Sequence, residues 1–172
     1  MPDLLVRLYD LPEVQPHIEK LREQGLLIRT ARPFEKQQVI GWVCDHFGSR
    51  WADECDAAFG NRPISCFIAT EKGEITGFAC YDSTCRDFFG PTGVAPHMRG
   101  RGIGRALLLS CLHAMAAIGY AYAVIGGVGS DEFYRRVVAA IEIDGSSPGI
   151  YRDRLRGNGA PDAKSGGSSG SG

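Results

Sequence analysis

The periods of apolar and polar residues change several times along the chain. Leu4 to Tyr9 reads as a short strand, and PEVQPHIEKLREQG after it as a helix stopped by Gly25. LLIRTA is a strand. In PFEKQQVIGWVCDHFG, Val39, Trp42, Val43 and Phe47 fall on one side at helical spacing, and Gly48 ends the helix. A further helical piece covers Trp51 to Phe59. Ile64 to Thr70 and EITGFACYDST are apolar strands joined by EKGE, where Gly73 supplies the turn, so the two form an antiparallel hairpin. Asp87 to Val94 is a third strand. Gly104 to Ile118 is a helix apolar over most of its circumference, which calls for burial on a sheet. YAYAVIGGV is a strand, SDEFYRRVVAA a helix, and IEIDGSSPGIYRDRL a short strand, a turn and a candidate last strand. Antiparallel strands followed by a strand–helix–strand unit define a mixed α/β domain. No linker divides residues 26 to 156. Residues 1 to about 25 read as an added strand–helix unit. Residues 157 to 172, Gly/Ser-rich, read as a disordered tail or cloning remnant outside the fold.

The 172 residues suffice for one domain with a proper core. A formal net charge of −1 provides no basic field to hold nucleic acid or an anionic membrane, so neither is expected as a partner. No apolar run approaches the roughly 20 residues that span a bilayer, and the N-terminus lacks the apolar segment of a signal peptide. A cytoplasmic location is the expectation. Six cysteines, none in a CxxC pair, fit reduced and mostly buried thiols; the even spacing of Cys44, Cys55 and Cys66 carries no message, and no metal is expected.

Chemistry concentrates in RGRGIGR, Arg99 to Arg105. Gly100, Gly102 and Gly104 let bare backbone approach a ligand, and the helix that follows offers unpaired N–H groups and a partial positive charge. That is an anion site suited to a pyrophosphate. Arg99, Arg101 and Arg105 add charge, and Arg101 and Arg105 are spaced to project from one side of the helix start. A Walker A loop is excluded because no Gly-Lys pair is present. A dinucleotide fingerprint fits poorly: the glycines run G-x-G-x-G, and no acid lies between Tyr120 and Gly129.

Val94-Ala95-Pro96-His97-Met98-Arg99-Gly100-Arg101-Gly102-Ile103-Gly104 resembles the acetyl-CoA-binding motif of the GNAT acetyltransferase superfamily, R/Q-x-x-G-x-G/A preceded by V-x-P. Downstream, Glu132-Phe133-Tyr134-Arg135-Arg136-Val137 resembles the family's FYxxxGF helix, although Val138-Ala139 stand where Gly-Phe is common. The family's usual asparagine before that helix is also missing, with Gly126-Gly127-Val128-Gly129 in the matching region. The resemblance covers about residues 26 to 155. It implies a central, mostly antiparallel twisted sheet flanked by helices, with one strand splayed at the acyl-CoA site.

It also implies transfer of acetyl from acetyl-CoA to a primary amine, and a possible homodimer; with no acidic tract to dock a basic peptide, a small-molecule acceptor is expected. Thr92 and Val94 would hold pantetheine and polarise the carbonyl. Arg99, Gly100, Arg101, Gly102, Ile103, Gly104 and Arg105 would hold the pyrophosphate. Tyr134 would be the general acid, with a proton available at neutral pH. Asp82 and Asp87 are candidate bases, with water as a substitute. The segment Ser146 to Tyr151 is expected beside the acceptor. Two other readings stand: a catalytically silent acyl-CoA sensor, and a nucleotide-binding interaction protein using the same loop.

Overall fold

Strand β1, Leu4–Arg7, buries Leu4 and Val6 completely and exposes Arg7, the alternation a strand requires. It does not sit at the edge of the fold. It pairs antiparallel with β6, Tyr122–Ile125, in the register Leu4↔Ile125, and on its other side with β7, Ile141–Glu142. The computed structural model describes residues 1–155; the Gly/Ser-rich tail lies outside them. Within that range the sheet has seven strands in the order β2-β3-β4-β5-β6-β1-β7. Here β2 is Leu26–Thr30, β3 Cys66–Glu71, β4 Glu74–Tyr81 and β5 Phe88–Val94. Every neighbouring pair is antiparallel except β5 with β6.

Helices cover both faces. Helix α1 (Gln15–Glu23) and helix α4 (Ile103–Ala117) pack on one, with Leu4, Val6, Leu21, Leu107, Leu112 and Met115 in the shared core. Helix α5 (Glu132–Val138) joins that cluster through Val137 and Val138. Helices α2 (Lys36–Phe47) and α3 (Ser49–Phe59) cover the other face over Ile68, Phe78 and Cys80. Along α4, Ile103, Leu107, Leu108, Leu109, Leu112 and Met115 are at most 1% exposed. Each such side chain contributes about 1.5–3 kcal/mol of burial. Those contacts fix where the N-terminus of α4 points.

Several boundaries differ from the sequence reading. Helix α4 begins at Ile103, after a left-handed Gly102, and α3 begins at Ser49. The strand read through YAYAVIGGV stops at Ile125, before its glycines. The candidate last strand is a 3-10 turn, Gly149–Tyr151. Residues 1–25, read as an added unit, supply an interior strand and part of the main core.

Candidate active site

A fork in the sheet defines the site. β5 pairs with β6 only through Phe88↔Val124 and Phe89↔Ile125, while its other edge stays paired with β4 as far as Val94↔Gly77. Beyond Phe89, the β6-facing edge of β5 is therefore open. The Ala95 amide donates to the Thr76 carbonyl oxygen at 2.9 Å, which makes this a hydrogen-bonded pair of the ladder. By alternation, the amides of Val94 and Thr92 point the opposite way, into the fork. The Thr92 hydroxyl is anchored by donating to the Phe78 carbonyl at 3.1 Å.

The chain then makes a 3-10 turn, Pro96–Met98, and enters α4. Gly100 and Gly102 have φ of 80° and 87°, the left-handed region that glycine occupies without penalty. The Met98 amide donates to the Ala95 carbonyl at 2.9 Å, the Arg99 amide to Pro96 at 3.4 Å and the Ala106 amide to Gly102 at 3.1 Å. Among the described residues, the six amides between them, Gly100 to Arg105, donate to no protein acceptor. Six consecutive open donors at the positive end of a 15-residue helix form an anion cradle.

The arginines divide. The Arg99 side chain turns back to the Val94 carbonyl at 3.4 Å, and its amide is spent on the turn. Arg101 does not share a helix face with Arg105, because it precedes the helix. Its guanidinium donates to Glu71 Oε1 at 3.3 Å and fastens the loop to the end of β3. Arg105 lies on α4, and its buried Nε has no partner among the described residues.

Tyr134 and Phe89 rings meet edge to face at 6.4 Å, which brings Tyr134 to the crotch of the fork. Burial pushes its phenol above the ordinary range, so it keeps its proton at neutral pH. Neighbouring strand residues face opposite ways, and the other face holds Phe88. There Gly126 lies so close that an added Cβ would stand 2.8 Å from the Phe88 ring and 3.0 Å from the Tyr151 hydroxyl. The segment Ser146 to Tyr151 thus reaches the fork. Ser146 and Ser147 hold it to the N-terminus, accepting from the Asp3 amide at 2.8 Å and the Met1 ammonium at 3.1 Å.

The two candidate bases lie at the β4–β5 turn. Asp82 Oδ1 accepts from the Asp87 amide at 2.7 Å, and Oδ2 accepts from the Tyr120 hydroxyl at 3.0 Å and faces Arg86 at 3.6 Å. Both oxygens close the β4–β5 turn, and the side chain is 3% exposed. Asp87 Oδ1 is sealed from solvent and has no partner among the described residues. Burial, and then the charge of Asp82, push the Asp87 carboxyl up. The sequence reading missed Glu54 on α3. It is half-buried, accepts from the Thr84 hydroxyl at 2.9 Å and acts electrostatically on Tyr151. Burial raises its pKa. Burial first, then the charges of Glu54 and Asp3, raise the Tyr151 phenol.

The Phe47 ring lies against Gly93 of β5, where an added Cβ would stand 2.4 Å from it. Trp42 and Trp51 pack around Phe47 and Phe78 beneath α2 and α3. His46 stacks on Trp42 at 4.2 Å, and His113 Nε2 lies 2.8 Å from the Pro12 carbonyl oxygen. His97 is exposed in the 3-10 turn. Arg135 pairs with Asp131 and Glu142.

Residues 62–137 match the family model of the acetyltransferase (GNAT) domain. Solved structures agree at the level of the fold. The glucosamine N-acetyltransferase region of a fungal multi-domain β-N-acetylglucosaminidase superposes with a TM-score of 0.67 at 16% identity, covering 83% of this chain and 19% of that one. A GCN5-related N-acetyltransferase from Sphaerobacter thermophilus gives 0.65 at 21% identity, covering 83% and 48%. A GNAT family acetyltransferase from Brucella melitensis, solved with acetyl-CoA, gives 0.51 at 20%, covering 63% and 80%. This chain spans less than half the length of the first two. No curated protein sequence matches it. Among the described residues, no helix is long and apolar enough to cross a membrane.

Proposed function

We propose that this chain moves an acetyl group from acetyl-CoA to the primary amine of a small molecule by direct attack within the β5–β6 fork. The observation that carries the reading is the run of six unengaged amides, Gly100 to Arg105, at the mouth of that fork. Those amides, with the Arg105 side chain, suit the pyrophosphate of coenzyme A. Thr92 and Val94 amides suit pantetheine and the polarised thioester oxygen. Acetyl-CoA supplies the activated acyl group.

An acceptor amine with a pKa near that of lysine, about 10.4, must shed a proton before attack. We assign that proton to Glu54, directly or through one water. Of the four carboxylates near the fork, Asp82 is committed to its turn, Asp87 has one oxygen sealed from solvent, and Asp3 Oδ1 accepts from the Gly127 amide at 2.8 Å. Glu54 lies on the Phe88 face with Tyr151 and Asp3, and two carboxylates there favour a cationic amine. Tyr134, on the Phe89 face, donates a proton to the departing thiolate. The test is a free-thiol assay with acetyl-CoA and a panel of amines. Thiol release with small cationic amines is the expected result. Coenzyme A binding with no release on any amine would leave a silent acyl-CoA module instead.

A further inference from the structure

Three of the six cysteines converge. Cys66 on β3 and Cys80 on β4 are direct cross-strand partners, and Cys55 of α3 sits over them. The three sulfur atoms lie within 4.8 Å of one another, and Cys55 Sγ is 3.9 Å from Cys66 Sγ. All three residues are fully buried and belong to the core cluster of Val43, Ala52, Phe59, Ile68 and Phe78. Cysteines at 55, 66 and 80 show no metal spacing in the sequence. The hairpin register and the seating of α3 create the triangle.

Bonds of about 2.3 Å from one centre put the sulfur atoms of a three-sulfur array roughly 3.5–4 Å apart, close to this spacing. Which centre fits is decided by charge and coordination number. A structural zinc site takes four ligands, and among the described residues no fourth His, Cys, Asp or Glu joins the three. Zinc on three thiolates also leaves a net negative charge in an apolar core, which is costly. Trivalent arsenic takes three sulfurs in a pyramid, needs no fourth ligand, and gives a neutral product. Its hydroxide, As(OH)3, exchanges three As–O bonds for three As–S bonds. Each thiol proton leaves with a hydroxide as water, and no electron is transferred.

We propose that Cys55, Cys66 and Cys80 form a three-thiol site for trivalent arsenic, reached when α3 opens from the sheet. The Cys55 contact and then burial hold Cys66 protonated, and burial first does the same for Cys80.

The full chain, reduced and desalted, is mixed with arsenite and weighed by native mass spectrometry. One arsenic per chain, with three hydrogens lost, is expected. Cys55→Ala should weaken retention by about 100-fold or more, while a Cys44→Ala/Cys85→Ala double variant binds like the parent. X-ray absorption on the loaded parent gives a reading that does not depend on how variants fold. Three sulfur neighbours and no oxygen support the site. No bound arsenic, an oxygen in the shell, undiminished binding by Cys55→Ala, or tighter retention of Zn²⁺ offered alone would each overturn it.

Discussion

Tyr134 and Glu54 face the fork from opposite sides, and both carry pKa values raised by burial. The signs lead to separate outcomes. A base must be ionised, so the acid limb of kcat/KM lies above the ordinary carboxylate range, and Glu54→Gln removes it. An acid must be protonated, so the alkaline limb of kcat lies above pH 10, and Tyr134→Phe removes that one. Each variant should lower kcat by about 10²–10⁴-fold with little change in acetyl-CoA affinity, as steady-state kinetics across pH will read. Asp82→Asn should act differently. It costs about 1–3 kcal/mol in denaturant melts because a buried hydrogen-bond network is broken, yet folded protein keeps its kcat. Tyr134 was legible because it sits in a recognisable helix. Glu54 was not, because SRWADECDAAF offers Asp53, Glu54 and Asp56 alike. Only the packing of α3 against Thr84 singles out the middle one.

At the scale of elements, the loop and α4 act as one device. An alanine at Gly102 must take φ near 87°, a left-handed conformation costing about 1–2 kcal/mol. Gly102→Ala should therefore lose about that much stability and also weaken coenzyme A binding, since relief of the strain turns the amides of 100–105 away. Calorimetry would read both. A second device holds the sheet edge. The Arg29 guanidinium grips Glu35 at 2.6 and 2.8 Å, tying β2 to the turn at Pro33–Glu35 and holding the Glu35 carboxyl down to about 2. A depressed folded pKa gives stability that is present above the unfolded value near 4.5 and lost as pH falls through about 2. Glu35→Gln should cost about 1–2 kcal/mol at pH 7, with the difference from the parent closing by pH 2. The elements themselves read well from sequence: β5 and α4 lie within a residue or so of expectation. Their ends did not where glycines followed β6, because glycine tolerates both extension and a turn.

For the whole molecule, the order of the strands is what local pattern could not disclose. β1 looks like an appendage along the chain, yet it lies between β6 and β7, pairings that span more than a hundred residues. Deleting residues 1–8 should abolish cooperative unfolding, because it removes an interior strand rather than a flap. The fork depends on the same architecture: β1 and β7 hold β6 in place while β4 holds β5, and the two strands part after Phe89. The anion cradle then lies where the open edge of β5 meets the buried helix. Amide NMR during a coenzyme A titration tests that claim most directly. The account predicts that Gly100 to Arg105 give the largest ¹⁵N–¹H shifts, followed by Thr92 and Val94. Saturable binding that leaves those six amides unmoved would contradict it.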